Sequence, residues 1–182
     1  MKKIFLYIIL LSLPFLTGCF ESENNQTVEF DGFVMEINEH FIPISSGTFD
    51  GQQIQNKIIA SYKIDSLEDI YKDNLIISKN KLNNKIDLET YTQANYNKLN
   101  KGITTLNSIE NIKKLDFECK NDKIDGYYSK YEVYDSIFDE DTKYYILQYY
   151  FIKDDNGYIL SFSSGEDRFS EFIKNIGTIS CN

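Results

Sequence analysis

The sequence has no tryptophan, one histidine and one arginine, and these shortages exclude several kinds of chemistry. A Ser-His-Asp triad uses an imidazole as its base, so a triad in this chain would have to be built around His40. Arg168 is likewise the one residue able to clamp a phosphate with parallel hydrogen bonds. Nucleophile elbows, H-E-x-x-H motifs and phosphate-binding loops are all missing. We therefore expect a non-enzymatic protein.

Metal ligands are equally scarce. Three cysteines and one histidine are too few for a zinc cluster. Four acidic residues share one loop, but the glycine and terminal glutamate of an EF-hand loop are missing. We favour a solvated acidic loop over a weak calcium site and expect no metal and no cofactor. The four residues are Asp135, Asp139, Glu140 and Asp141.

Negative charge is in excess, with a formal net charge of −9. An acidic chain is repelled by phosphate backbones, so we expect no nucleic-acid partner. The aromatic content of 15% is instead typical of a packed core. The composition indicates a globular domain, and 182 residues are enough for one.

Long apolar runs are limited to the N-terminus. Lys2 and Lys3 precede an apolar stretch over residues 4–13, and Pro14 follows it. Charge, a short apolar core and small residues at the end are the features of a secretory signal. The stretch is too short for a comfortable membrane span, which needs about 20 residues.

The signal ends at Leu16-Thr17-Gly18-Cys19, which resembles the lipobox of bacterial lipoproteins. The resemblance implies cleavage before Cys19 and a diacylglycerol on its thiol. Residues 1–18 are then the signal peptide, 19–29 a flexible polar tether and 30–182 the domain. We expect attachment to the cell membrane or outer membrane, on the extracytoplasmic side, through lipid on Cys19. An uncleaved anchor with an incidental cysteine is the alternative.

Two cysteines remain after Cys19. An even pair in an exported domain favours a disulfide between Cys119 and Cys181. The alternative is two separate buried thiols.

Hydrophobic alternation predicts most of the strands. The segment KYYILQYYFIK, residues 143–153, is apolar on both alternating faces, so it predicts a central strand covered on both sides. Asp155-Asn156-Gly157 predicts the tight turn that follows it. Residues 40–53 read as a loop. The remaining strands are predicted at residues 33–37, 57–64, 74–78, 112–118, 127–134 and 158–163.

Two helices are also predicted. Asp87 is a good N-cap for a helix that ends at Gly102. Ser163 and Glu166 fit a capping box ahead of a C-terminal helix. That helix carries an apolar stripe at Phe169, Phe172, Ile173 and Ile176. The order of elements predicts an α+β fold: one antiparallel sheet with helices on both faces.

This pattern resembles the PsbP-like fold, which includes PsbP, a Ran-binding release factor and many small bacterial lipoproteins. The resemblance lies in "FVMEINEHF", "DNLIIS", "DLETYTQANYNKLNKG" and "YYILQYYFIKDDNGYILSFSSGEDRFSEFIKNI". It implies an accessory or assembly module that binds other proteins.

Tyrosines crowd the second half of the chain, and tyrosine suits both sheet faces and interfaces. We expect a partner-binding patch to include Tyr128, Tyr134 and Tyr144.

The leading hypothesis is thus a lipid-anchored module that binds an envelope protein at the membrane surface. A lipoprotein with a small-ligand pocket between sheet and helix is the second hypothesis, and a hydrolase built on His40 is the third.

Overall fold

The structure is a computed structural model that describes residues 24–44, 57–64, 73–82, 85–102, 106–135 and 142–182. Cys19, the signal segment and residues 136–141 of the acidic loop lie outside the described residues. The described residues form mostly antiparallel β-structure with two helices, an α+β arrangement. Neither of these helices is long and apolar enough to cross a membrane.

Within the described segments, twelve strands make up three sheets, and every strand pair is antiparallel. The main sheet has the order β3-β4-β5-β11-β10-β9-β6, a small sheet has the order β1-β2-β12, and β7 pairs with β8. The strands are β1 Asn25–Phe30, β2 Phe33–Asn38, β3 Phe41–Pro43, β4 Lys57–Ile64, β5 Asn74–Lys81, β6 Leu106–Lys114, β7 Phe117–Cys119, β8 Asp122–Ile124, β9 Gly126–Asp135, β10 Thr142–Lys153, β11 Asn156–Ser164 and β12 Ser180–Cys181.

Strand β10 is buried on both faces, which confirms the prediction from its double apolar pattern. Tyr149, Tyr150 and Phe151 are successive residues that point to alternate faces, and all three are fully buried. One face of the strand joins the large core cluster that also contains the small sheet. The other face contributes Tyr150 to a second, smaller cluster with Tyr91 and Ile159.

Helix α1, Leu88–Gly102, begins where the sequence predicts. The Asp87 carboxylate accepts a hydrogen bond from the Thr90 backbone N–H at 2.7 Å, as an N-cap residue does. The bond satisfies one of the four free N–H groups of the first turn.

Helix α2, Phe169–Ile176, begins later than the predicted capping box. Ser163 lies in the β10–β11 ladder opposite Ile146, so the capping-box prediction is wrong. The Asp167 carboxylate instead accepts a hydrogen bond from the Phe169 backbone N–H at 3.2 Å. The apolar stripe does pack inward, and Phe172 stacks on Phe162 at 4.6 Å between ring centroids.

Three other predicted segments differ from the structure. Residues 25–29, assigned to the tether, form β1 by pairing with β2, although their own pattern is polar. The predicted loop at residues 40–53 contains β3, which pairs with β4. The predicted strand at residues 112–118 is interrupted between β6 and β7. Residues 45–53 lie outside the described residues.

The β10–β11 turn falls two residues earlier than the predicted Asn-Gly turn at positions 156 and 157. Asp154 and Asp155 occupy it, with φ of 50° and 59°, which are the angles of a type I′ hairpin turn. Gly157 is the second residue of β11 and lies under α1. A Cβ at this position would meet Tyr91 Cζ at 2.4 Å. The glycine is therefore required by close packing and not by the turn.

Replacing Gly157 by alanine should destabilise the protein by about 1–3 kcal/mol, because the new methyl group overlaps the Tyr91 ring. Urea unfolding measures this cost. The same substitution should cost little in a Tyr91→Leu background, where the ring is absent. An equal cost in both backgrounds would show that the Tyr91 contact is not the reason for the glycine.

Candidate functional site

A cleft of about 330 Å³ lies at one end of the molecule, where three two-residue turns meet. The turns join β1 to β2, β7 to β8 and β10 to β11. They contain all the described residues with positive φ, namely Asp31, Gly32, Lys120, Asp154 and Asp155. Tight turns of this kind have little conformational freedom, so the rim of the cleft is well defined.

The β1–β2 turn is held in place by Asp31. Its Oδ2 accepts hydrogen bonds from Lys79 Nζ at 2.6 Å and from the Tyr158 hydroxyl. Lys79 lies on β5 and Tyr158 on β11, so one carboxylate ties the small sheet to two strands of the main sheet. The Asn182 backbone N–H also donates to Gly32 O at 3.0 Å.

These contacts determine the protonation states of the Asp31 carboxyl and the Tyr158 phenol. Burial alone would raise the pKa of the Asp31 carboxyl, but the hydrogen bonds from Lys79 and Tyr158 and the nearby positive charges outweigh it and lower that pKa. Burial and the Asp31 carboxylate raise the pKa of the Tyr158 phenol. Tyr158 is therefore a protonated donor at neutral pH and a poor base or nucleophile.

A disulfide forms one wall of the cleft. The structure joins Cys119 of β7 to Cys181 of β12, with 4.9 Å between the Cα atoms. Since β12 pairs with β2, the bond links the β7–β8 hairpin to the small sheet. Cys119 is buried and Cys181 is half-buried. The β7–β8 turn is thereby cross-linked covalently to the C-terminal strand, which is hydrogen-bonded to β2.

The floor of the cleft is aromatic. Phe33 and Tyr158 line it, and both pack on Phe151 of β10. The Tyr158 and Phe151 rings are stacked at 4.7 Å, and the Phe33 ring meets Phe151 edge-on at 5.2 Å. These rings belong to the main core, so the floor is as rigid as the core itself.

Charges of both signs surround the opening. Lys120 and Asp154 make no ion pair with any described residue, and Asp122 reaches Lys153 only at 3.8 Å. Unpaired charges on a rigid rim are available to an incoming group. The arrangement fits a peptide segment, or another group that carries both charges, better than a purely anionic ligand.

The predicted tyrosines do not come together in one patch. Tyr128 is 9% exposed and packs in the large core cluster. Tyr134 is 39% exposed and lies on the same face of β9. Tyr144 is half-buried and pairs with Val133, which places it on the opposite face of the sheet. Alternation along β9 and β10 is the reason for this separation.

His40 lies in the turn between β2 and β3 and is exposed. Its backbone N–H donates to Asn38 Oδ1, and no hydrogen bond joins its imidazole to a described serine or carboxylate. In the described part of the chain, no group of three or more His, Cys, Asp or Glu side chains is arranged to hold a metal ion. Residues 136–141 of the acidic loop fall outside that part.

The sequence analysis does not predict the cluster of Asp31, Lys79 and Tyr158. Asp31-Gly32 between two alternating segments was an available turn signal. Nothing local indicates that Lys79 and Tyr158 reach Asp31, because these residues are 48 and 127 positions away in the chain.

No family model and no curated protein sequence matches this chain. Solved structures do match it. The solution structure of cyanobacterial PsbP (CyanoP) from Synechocystis sp. PCC 6803 has a TM-score of 0.62 at 15% identity, over 91% of this chain and 96% of that one. The Saccharomyces cerevisiae Ran-binding protein Mog1p has a TM-score of 0.55 at 11% identity, over 87% and 95% of the two chains. The chain therefore has a PsbP/Mog1-like fold, which confirms the predicted resemblance of fold.

Removing the disulfide should lower the free energy of unfolding by about 4 kcal/mol, because the bond closes a loop with a sequence separation of 62. The double variant Cys119→Ala, Cys181→Ala tests this by urea unfolding under non-reducing conditions. Reductant should destabilise the parent protein to a similar extent and leave the variant unchanged. A variant as stable as the parent would contradict a stabilising role for the bond.

Asp31→Asn should lower stability by about 1 kcal/mol at neutral pH, since the pair with Lys79 is partly exposed. The folded pKa of Asp31 is depressed, so its contribution is present above the unfolded value near 3.8 and is lost as pH falls through the folded value. Unfolding measured against pH should show the two proteins converging in acid. Asp154→Asn is the matched control, and a constant difference at all pH values would contradict the assignment.

Proposed function

We propose that this chain is a lipid-anchored, extracytoplasmic and non-enzymatic accessory module. In this proposal, lipid on Cys19 holds the domain at the membrane surface. The cleft beside the Cys119–Cys181 disulfide binds an envelope protein partner.

Two features support the location. The residues around Cys19 have the pattern of a lipobox, with small side chains before the cysteine. The remaining two cysteines are bonded to each other, and disulfides persist in oxidising compartments outside the cytoplasm. The two features are independent, because one lies in the signal segment and the other in the folded domain.

The observation that carries the binding proposal is the cleft itself. It has an aromatic floor, a rim of three tight turns of which the β7–β8 turn is cross-linked to β12, and the charges of Lys120 and Asp154, which make no ion pair with a described residue. A rim already held in one conformation loses little entropy when a partner binds. Mog1p is named as a Ran-binding protein, so one protein of this fold binds another protein.

The chemistry of the described residues supports a binding role over a catalytic one. Tyr158 is held protonated beside Asp31. His40 has no described serine or carboxylate partner, and it does not line the cleft. The cleft therefore offers contacts and charges, and no activated nucleophile.

We also propose that the two helices cover opposite faces of the main sheet, as the order of elements in the sequence predicts. Tyr91 of α1 packs with Ile159, whereas Phe172 of α2 stacks on Phe162. Positions 159 and 162 point to opposite faces of β11. The cleft lies at the turns and not between a helix and the sheet, where the small-ligand alternative places its pocket, so we prefer the protein partner.

Crosslinking in cells tests the proposal. The lipidated protein should capture one stoichiometric protein partner, and Cys19→Ser should lose it together with membrane attachment. Lys120→Glu and Asp154→Lys should each reduce capture by about tenfold, as expected for loss of about 1.4 kcal/mol at a charged contact.

Lys101→Glu is the matched control, because Lys101 is exposed in the last turn of α1 and does not line the cleft. This variant should capture the partner as the parent does. Recovery of the domain alone, or equal loss in all three charge variants, would overturn the proposed function.

A further inference from the structure

Strand β1 separates two ends of the domain. At one end Asn25 pairs with Asn38, and at the other Phe30 pairs with Phe33. A six-residue strand is about 17 Å long. The Asp31–Gly32 turn follows Phe30 and lines the cleft, so the cleft lies at the end of β1 farther from the N-terminus.

The point at which the chain enters the domain is fixed at the opposite end. The Asn24 carbonyl accepts a hydrogen bond from the Glu39 backbone N–H at 3.0 Å, and the Gln26 side chain donates to Glu39 O at 3.2 Å. Cys19 precedes Asn25 by six residues. Covalent geometry limits that span to about 20 Å. A lipid on Cys19 therefore keeps the Asn24–Glu39 end within about 20 Å of the bilayer surface.

The charges at the cleft end do not favour contact between that end and an anionic membrane surface. Two lysines there are paired with aspartates, Lys79 with Asp31 at 2.6 Å and Lys123 with Asp116 at 2.8 Å, and Lys120 shares the rim of the cleft with Asp122 and Asp154. Anionic lipid attracts clusters of basic residues, and a rim on which lysines alternate with aspartates is not such a cluster. The exposed large hydrophobic side chains of the described residues, Ile42, Ile86 and Tyr134, do not line the cleft.

We infer that the cleft faces away from the membrane, and that its occupant is a protein segment approaching from the side opposite the bilayer, not a lipid headgroup. The inference rests on the proposed function, since it requires lipid on Cys19. The inferred orientation requires an envelope protein whose binding segment reaches the side of the domain that faces away from the anchoring membrane.

Depth-dependent fluorescence quenching tests the orientation. His40→Cys labels the end near the anchor, and Lys81→Cys labels the cleft end, because Lys81 pairs with Asn156 beside the β10–β11 turn. Both side chains are exposed. The lipidated proteins are placed on vesicles of phosphatidylcholine and phosphatidylglycerol that carry a headgroup spin label. The dye at position 40 should be quenched at least about threefold more than the dye at position 81, since the two ends are about 17 Å apart.

A second pair, Glu39→Cys and Lys57→Cys, repeats the comparison with different local surroundings, as Lys57 pairs with Lys79 at the cleft end. Equal quenching at both ends, or stronger quenching at the cleft end, on protein that floats with the vesicles would overturn the orientation and favour a headgroup in the cleft. Protein that does not float, and whose intact mass shows no lipid, would overturn the proposed function and this inference with it.

Discussion

Burial of β10 on both faces determines where the other elements lie. Tyr150 belongs to the small cluster with Tyr91, and Tyr149 and Phe151 belong to the large cluster that contains the small sheet, so one strand connects two core clusters. Each of these side chains removes a large aromatic area from water, which is the main stabilising term for a domain of this size. The β10–β11 hairpin then carries the Asp154–Asp155 turn to the end of the sheet.

The cleft exists because several weak or short elements are fastened at that end. Strand β12 has two residues and the β7–β8 hairpin has three per strand, which is too little pairing to hold their positions alone. The Cys119–Cys181 disulfide and the hydrogen bonds to Asp31 hold these short elements in position. Binding at such a rim would need little further ordering, which is consistent with a docking role.

Sequence reasoning succeeded where the pattern is local and failed where the contact is distant. The double apolar pattern predicts β10, and Asp87 predicts the start of α1, because both signals lie within a few residues. The first residues of strand β1 are polar, and its local signal is limited to Val28 and Phe30, which alternate ahead of the Asp31-Gly32 turn. Asn156-Gly157 predicts the turn because Asn-Gly tolerates positive φ, whereas Gly157 is in fact needed for its close approach to Tyr91. The cleft joins turns that are far apart in the chain.

Photo-crosslinking from within the cleft tests the central claim most directly. A photoreactive amino acid would replace Lys120 on the β7–β8 turn, and Lys101 on α1 would be replaced as the comparison position. The account predicts one protein adduct of defined mass from position 120, and no such adduct from position 101, in cells that carry the lipidated chain. Adducts to lipid alone, or the same adducts from both positions, would contradict it.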